Sequence, residues 1–471
     1  MLGTQLAELL DGAPAGVGQA LDLVSGLDDV LVHGFARVGE EPAAALAGVA
    51  GAVAATPLGD RVTEAVGKLT AGSVAGEHLV VLAGARVALL GAVYDALVAR
   101  FDAVLGRDRR AWQPAPPVGA PPVGTPPAGA ANALAACRSW LHELAVTGWR
   151  GVDHDLVAAA GQPIEAALAV PGLRRLAVLL DGLAAELRAS CPVATMPAVP
   201  ARRWADLWAR AVLLAEAGDD MAAHGGEPVS GRLLVLGVDV HEHGTAVQVQ
   251  VHGVLETTGG VPARLVRASV AAAKVDTIVG PALWRLLPAP TLLRALAEQR
   301  SLHVTDMPLH GGDLLWRDDQ ARPGEPADPF ATARVQLAGA VAAQLPPLDR
   351  HPVGIAEPVL LEGYAVRTAD GPVSFELGGH TVAVDVDRLP TCGPLTAELV
   401  AASSACLGLL RWEAGRWLVQ PLAVQATVKR KLVGVHNGDW AQGPTDPKVV
   451  KAQAGDAVAV LRERAGRLLR R

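Results

Sequence analysis

The sequence predicts a multidomain chain: an all-α N-terminal half, built as a helical bundle or short helical repeats, then an α+β domain with antiparallel strands. Three observations predict it. Up to about residue 217, apolar residues recur at helical spacing. Gly225-Gly226 and Pro228 then break the chain. Beyond them, Val247, Val249 and Val251 alternate with Gln248, Gln250 and His252, the period-two pattern of a half-buried strand.

Residues 1–111 form the first helical block. Its candidate helices are 4–10, 17–32, 42–55, 57–69 and 77–105. Pro42 and Pro57 fit first-turn positions, where a missing N–H costs nothing. The longest apolar run, residues 79–98, is interrupted by Arg86 and Asp95. A membrane helix of about 20 residues rarely tolerates both charges, so the run reads as a buried bundle helix.

Residues 112–130 form a linker. The stretch QPAPPVGAPPVGTPPAG favours extended polyproline II, because proline fixes φ and removes donors. It reads as a spacer, with a docking motif for a proline-reading domain as the second reading.

Residues 131–220 form the second helical block, with helices at 134–146, 152–160, 164–170, 173–189 and 202–217. On the last, Trp204, Leu207, Trp208, Ala211, Leu214 and Ala215 share one face. The tryptophan pair at i and i+4 reads first as core and second as a partner-binding anchor. The segments led by Pro42 and Pro163 look alike, which either a helical repeat or Ala-rich composition explains.

Residues 230–440 form the α+β domain. Two strands flank the turn His241-Glu242-His243-Gly244, and a third covers 261–270. Helices follow at 277–287 and 291–299, then a polar, proline-rich loop at 316–329 and a helix at 330–345. Residues 359–387 read as a meander with turns at Ala369-Asp370-Gly371 and Gly378-Gly379. A helix at 395–406 precedes strands at 409–413, 416–419 and 423–435. Residues 441–471 close the chain with a basic amphipathic helix.

Composition bounds the function. Of the 471 residues 51% are hydrophobic and 19% charged, enough for large cores. The net charge of -7 is uneven: residues 429–471 carry +6 and the remainder -13. An acidic body argues against general nucleic-acid binding. The basic end suits an acidic partner, with Arg462, Arg464 and Arg467 as candidate contacts; a solvated helix end, favoured by the helix dipole, is the alternative. Cys137, Cys191, Cys392 and Cys406 form no Cys-x-x-Cys motif, and Glu8 and Asp11 stand where a signal peptide would be apolar. A cytoplasmic location with no membrane contact is expected.

Several stretches bear on possible chemistry. His241, His243 and His252 could offer imidazoles to a metal: His241 and His243 share a strand face, a usable ligand geometry, and His303, Asp306, His310 or Asp313 in HVTDMPLHGGD could complete the set. The competing reading is a solvated turn at Gly244. Residues 59–68 end in Gly-Lys, but Leu69 replaces the magnesium-binding hydroxyl. Gly16-Val17-Gly18 lacks a third glycine, His142-Glu143 lacks a second histidine, and no Gly-x-Ser-x-Gly elbow occurs. Asp385 and Asp387 share a face, but Arg388 marks an exposed edge. Lys429-Arg430-Lys431 with Trp412, Trp417 and Trp440 could form a single-strand stacking groove.

The run Arg203-Trp204-Ala205-Asp206-Leu207-Trp208 and the later Arg416-Trp417-Leu418-Val419-Gln420-Pro421-Leu422 resemble uncharacterised actinobacterial proteins encoded beside MoxR-type AAA+ ATPases, von Willebrand A proteins and SWIM zinc-finger proteins. The resemblance implies a non-catalytic companion in a multi-protein system, with a AAA+ ATPase system as the implied partner. It assigns no functional residue. The expected function is a non-enzymatic interaction or scaffold protein without cofactor. The alternatives are a metal-dependent hydrolase using His241, His243 and His310, and a single-stranded nucleic-acid binder.

Overall fold

The computed structural model describes residues 1–112, 128–217, 226–257, 261–368, 373–444 and 449–450. The proline-rich stretch and Arg462, Arg464 and Arg467 lie outside the described residues.

Among the described residues, ten helices occupy the first half: α1 (Gly3–Leu10), α2 (Val17–His33), α3 (Glu40–Val53), α4 (Gly59–Thr70), α5 (Gly76–Leu105), α6 (Ala128–Thr147), α7 (His154–Ala158), α8 (Gly161–Leu168), α9 (Arg174–Ser190) and α10 (Ala201–Ala217). Helices α2 to α10 bury one continuous apolar core, so the two helical stretches pack together. Trp204 and Trp208 lie inside it, each 1% exposed. The indole N–H of Trp208 donates to Leu141 O at 2.9 Å, and Trp204 meets Trp149 edge to face. Both are therefore core residues. The partner-anchor reading fails because neither ring reaches the surface.

Helix α5 joins the halves. By length and composition it could cross a membrane, yet its apolar residues are used twice within the protein. Leu79, Leu82, Leu89 and Leu90 belong to the helical core, while Val93, Leu97 and Phe101 pack on a β-sheet. Its two interrupting charges are paired. Arg86, fully buried, grips Asp28 of α2 at 2.7 and 3.3 Å, and Asp28 also takes Arg202 at 2.7 Å. Asp95 accepts from Arg350 at 3.1 Å.

After α5 a short strand, β1 (Arg109–Arg110), precedes the first sheet, which begins with β2 (Glu227–Glu242), β3 (Ala246–Thr257) and β4 (Arg264–Ala273). Helix α11 (Pro290–Ala297) leads to β5 (Arg300–His310), β6 (Asp313–Leu314) and β7 (Ala321–Pro326). The order is β2-β3-β4-β6-β5-β7, and an extra β2–β5 pairing curls the sheet around its core. Val247, Val249 and Val251 point into that core at 0–1% exposure. The alternation of β3 thus divides inside from outside.

Helix α12 (Pro329–Gln336) and β8 (Ala342–Ala343) then connect to β9 (Glu357–Glu362), β10 (Ala365–Arg367), β11 (Ser374–Leu377) and β12 (His380–Val384). Helix α13 (Ala397–Ala401) precedes β13 (Ser403–Glu413), β14 (Arg416–Val428) and β15 (Lys431–His436). These strands build the second sheet, β10-β11-β12-β14-β13-β9, with β15 beside β14. Most pairs are antiparallel; β12–β14 and β4–β6 are parallel, and β1 pairs β8 in parallel. The helices-then-α+β class is as expected from the pattern.

A bulge between Val235 and Gly237 shifts the register of β2. Leu234 and Leu236 face α12 and the second sheet, whereas Val238 turns into the core of the first. One inserted residue has reversed the facing of the strand. Asp239 and His241 consequently join the outer face. Gly237 sits where an added Cβ would lie 2.6 Å from the Leu422 Cβ, so only glycine lets the sheets approach.

Several element predictions change. The helix expected over 330–345 ends at Gln336, before β8, and the strand expected over 423–435 is split between β14 and β15. Residues 277–287 form a 3-10 turn, Gly280–Leu286, rather than a full helix. The expected loop at 316–329 contains β7, an edge strand whose two prolines cost no ladder bonds. The helix expected over 395–406 is five residues long before β13 begins. Its continuous apolar run suits a central strand covered on both faces, which periodicity cannot tell from helix.

Candidate functional site

The outer face of β3 runs from open solvent into the interior. Gln248 is exposed, Gln250 is half-buried and His252 is 1% exposed. Register extends the polar stripe sideways. On β2, His241 lies opposite Gln248 and Asp239 opposite Gln250. On β4, Ser269 lies opposite Gln250 and Arg267 opposite His252. The Gln250 side-chain N–H donates to Ser269 Oγ at 3.3 Å, and Arg267 donates to Asp313 of β6 at 2.8 Å.

Above this floor lies a cleft of about 640 Å³. Leu315, Trp316, Arg317, Leu345, Asp349 and Gly354 complete its lining. Arg267, Leu345 and Gly354 also line a second, smaller space of about 50 Å³ behind it. There the floor passes beneath α5 and β9. His252, Tyr94, Arg109 and Glu357 are the polar groups around this inner cavity.

The inner charges are mutually satisfied. Glu357 accepts from Arg107 at 3.2 Å and Arg109 at 3.1 Å. Arg109 also donates to Asp102 at 2.6 and 3.0 Å and to Ala343 O at 3.1 Å. Burial would raise the Glu357 carboxyl, but Arg109 and Arg107 outweigh it and hold it below the usual range. His252 differs. Its Nε2 is buried without a hydrogen-bond partner among the described residues. Burial, with Arg267 beside it, lowers its pKa to about 3, so the ring is neutral at physiological pH. A buried polar nitrogen left unpaired costs free energy.

On its β2 side the stripe is bounded by a buried network. Asp239 accepts from Arg411 Nη2 at 2.8 Å and from Gln420 Nε2 at 2.7 Å, and Arg411 Nε donates to Gln420. His241 Nε2 lies 3.1 Å from Asp239 Oδ2 at its outer edge. These groups fasten the first sheet to β13 and β14 of the second.

The proposed metal set is not assembled. Glu227, at the start of β2, pairs with Leu309, so His310 sits beside that end of the strand. His241 is fourteen residues further along β2, roughly 45 Å of strand at about 3.3 Å per residue. His243 lies in the hairpin turn, its backbone N–H donating to Ala246 O at 2.8 Å. Among the described residues no three His, Cys, Asp or Glu side chains gather as a metal site. The stacking groove is also not formed as expected. Trp412 and Trp417 pack edge to face within the core at 5.1 Å, out of reach of a base. Asp385 and Asp387 do not share a strand face or a sheet edge: they lie beyond the end of β12, Asp387 in a 3-10 turn over Val386–Arg388, and Asp385 pairs with Arg388 at 2.8 Å.

Sequence reading named Gln248, Gln250 and His252 as the polar phase of a strand, but not as the floor of a cleft. Tyr94, Arg109, Arg267 and Glu357 escaped it, because helix and strands far apart in sequence bring them together. The one available signal was parity: Arg267 and Ser269 share a face of their strand.

Comparison with protein-family models, with curated proteins and with solved structures finds no match to this chain.

Proposed function

We propose that this chain is a non-enzymatic interaction protein, a companion in a multi-protein system, whose recognition surface is the cleft over β3 and β4. The supporting observation is the polar stripe Gln248–Gln250–His252, which passes from an open cleft to an unpaired, buried nitrogen. The cleft's size falls within the range of about 300–1,000 Å³ typical of ligand sites. Its surroundings are rigid: the buried pairs Arg86–Asp28, Arg109–Glu357 and Arg411–Asp239 hold helices and sheets in fixed relation. Preorganised walls reduce the ordering cost of binding.

Site-specific photo-crosslinking tests the reading. A photoreactive residue replaces Gln248 in the full chain, expressed in its native host. A control replaces Val178, which is 65% exposed on α9. Discrete adducts at position 248 that are absent from position 178 support the reading; equal or absent labelling at both contradicts it.

A further inference from the structure

We propose that the cleft takes a neutral, hydroxyl-rich ligand, a sugar unit free or at the end of a glycan, with one hydroxyl reaching His252 in the inner cavity. This rests on the cleft being the recognition surface. The inner cavity sets the charge. Glu357, Arg109 and Arg267 already have opposite charges in contact. An ionic ligand group would lose its hydration there and find no unspent counter-charge. A hydroxyl both donates and accepts, so it can pair with the neutral imidazole and with the phenol of Tyr94 whichever tautomer is present. A space of about 50 Å³ admits a group of that size, or water in its place.

The outer cleft matches the rest of such a ligand. Gln248, Gln250 and Ser269 offer amide and hydroxyl partners along about two strand repeats. The charged groups there balance, with Arg267 and Arg317 against Asp313 and Asp349. Leu315, 47% exposed, and the indole of Trp316 supply the apolar wall on which the C–H face of a sugar ring can lie.

The test uses the full chain and a glycan array of neutral mono- to hexasaccharides, followed by saturation-transfer NMR and calorimetry on any that bind. Glucose 6-phosphate and gluconate serve as charged comparators. Monosaccharides and chain-end glycans separate a free sugar from a polymer end. The expected result is binding of a neutral saccharide, weakened about tenfold or more by Tyr94→Phe and by Gln250→Ala. Gly312→Ala narrows the inner cavity; its added Cβ meets the Ala343 Cβ at 3.5 Å, an ordinary contact, so the fold accepts it. It is expected to weaken binding as well. Thermal melts within a few degrees of the parent confirm folding of each variant. No neutral saccharide binding at about 10 mM, tighter binding of the charged comparators, or indifference to all three variants overturns the proposal. Should adducts still form from position 248, the cleft remains a recognition surface and the sugar assignment alone falls.

Discussion

Asp239 on β2 and Arg411 on β13 meet at 2.8 Å across the gap between two sheets that share no strand. Both are nearly excluded from solvent, at 3% and 6% exposure. Removing one partner strands the other charge in the interior. Asp239→Ala is expected to cost about 3–5 kcal/mol in urea unfolding. The pair Asp239→Leu with Arg411→Met is expected to cost much less than the single change, because no charge is left buried. Equal costs would show that the two charges do not interact.

The same carboxylate sets a response to acid. Burial raises the pKa of Asp239, but the hydrogen bond and charge of His241, with Arg411 and Gln420, outweigh it and hold it well below the usual carboxylate range. A depressed carboxyl stabilises the native state above its unfolded pKa, near about 4. That contribution fades as pH falls toward the folded value. Between neutral pH and about 4.5 this residue is expected to add no pH dependence; urea melts of Asp239→Asn against the parent measure it.

Two histidines act in the opposite range. Burial, Arg267 and Arg411 lower His252 to about 3 against the pull of Asp239. Burial, Arg210, Arg86 and Arg202 lower His351 to about 4 against Asp206. Between these values and about 6.5 the unfolded chain binds protons that the native chain does not. Stability therefore falls as pH drops through that window, by up to about 1.4 kcal/mol per unit for each histidine. Urea midpoints for the parent, His252→Gln and His351→Gln between pH 7 and 5 check this. Each replacement is expected to flatten the slope, and an unchanged slope would refute the burial of that ring.

Trp208 decides between core and contact surface. Its ring fills the helical core and its N–H reaches Leu141 O. Trp208→Ala is expected to cost about 3–5 kcal/mol. Arg203→Ala, on the exposed side of α10 in a pair with Glu186, is expected to cost about 1 kcal/mol or less. A stable Trp208→Ala protein would return the ring to the surface reading.

What could be read in advance follows from the range of each cause. Helices α2 and α5 and the β3 alternation are local patterns, and their residues declare them. The reversal at Leu236 is not local: it needs β3 beside it to define the register. Neither is β13, whose apolar run takes its meaning from β9 and β14 on either side. His241 and His243 looked like part of a set because their spacing places them on one strand face, and His310 was the added ligand from a distant run. The fold places two at one end of β2 and the third at the other. The cleft was half visible, since Gln248, Gln250 and His252 lie on one strand. The inner cavity behind it is lined by Tyr94 and Glu357, which no spacing links to them.

The most direct measurement of the central claim is the imidazole nitrogen spectrum of His252, assigned by comparison with His252→Gln. The polar stripe is predicted to end on a neutral ring, whose Nε2 resonance stays constant from pH 7.5 to 5 and shifts when the cleft is filled. A His252 that titrates near its ordinary value of about 6.5, or whose resonance ignores every ligand that protects Gln248 and Gln250, would contradict it.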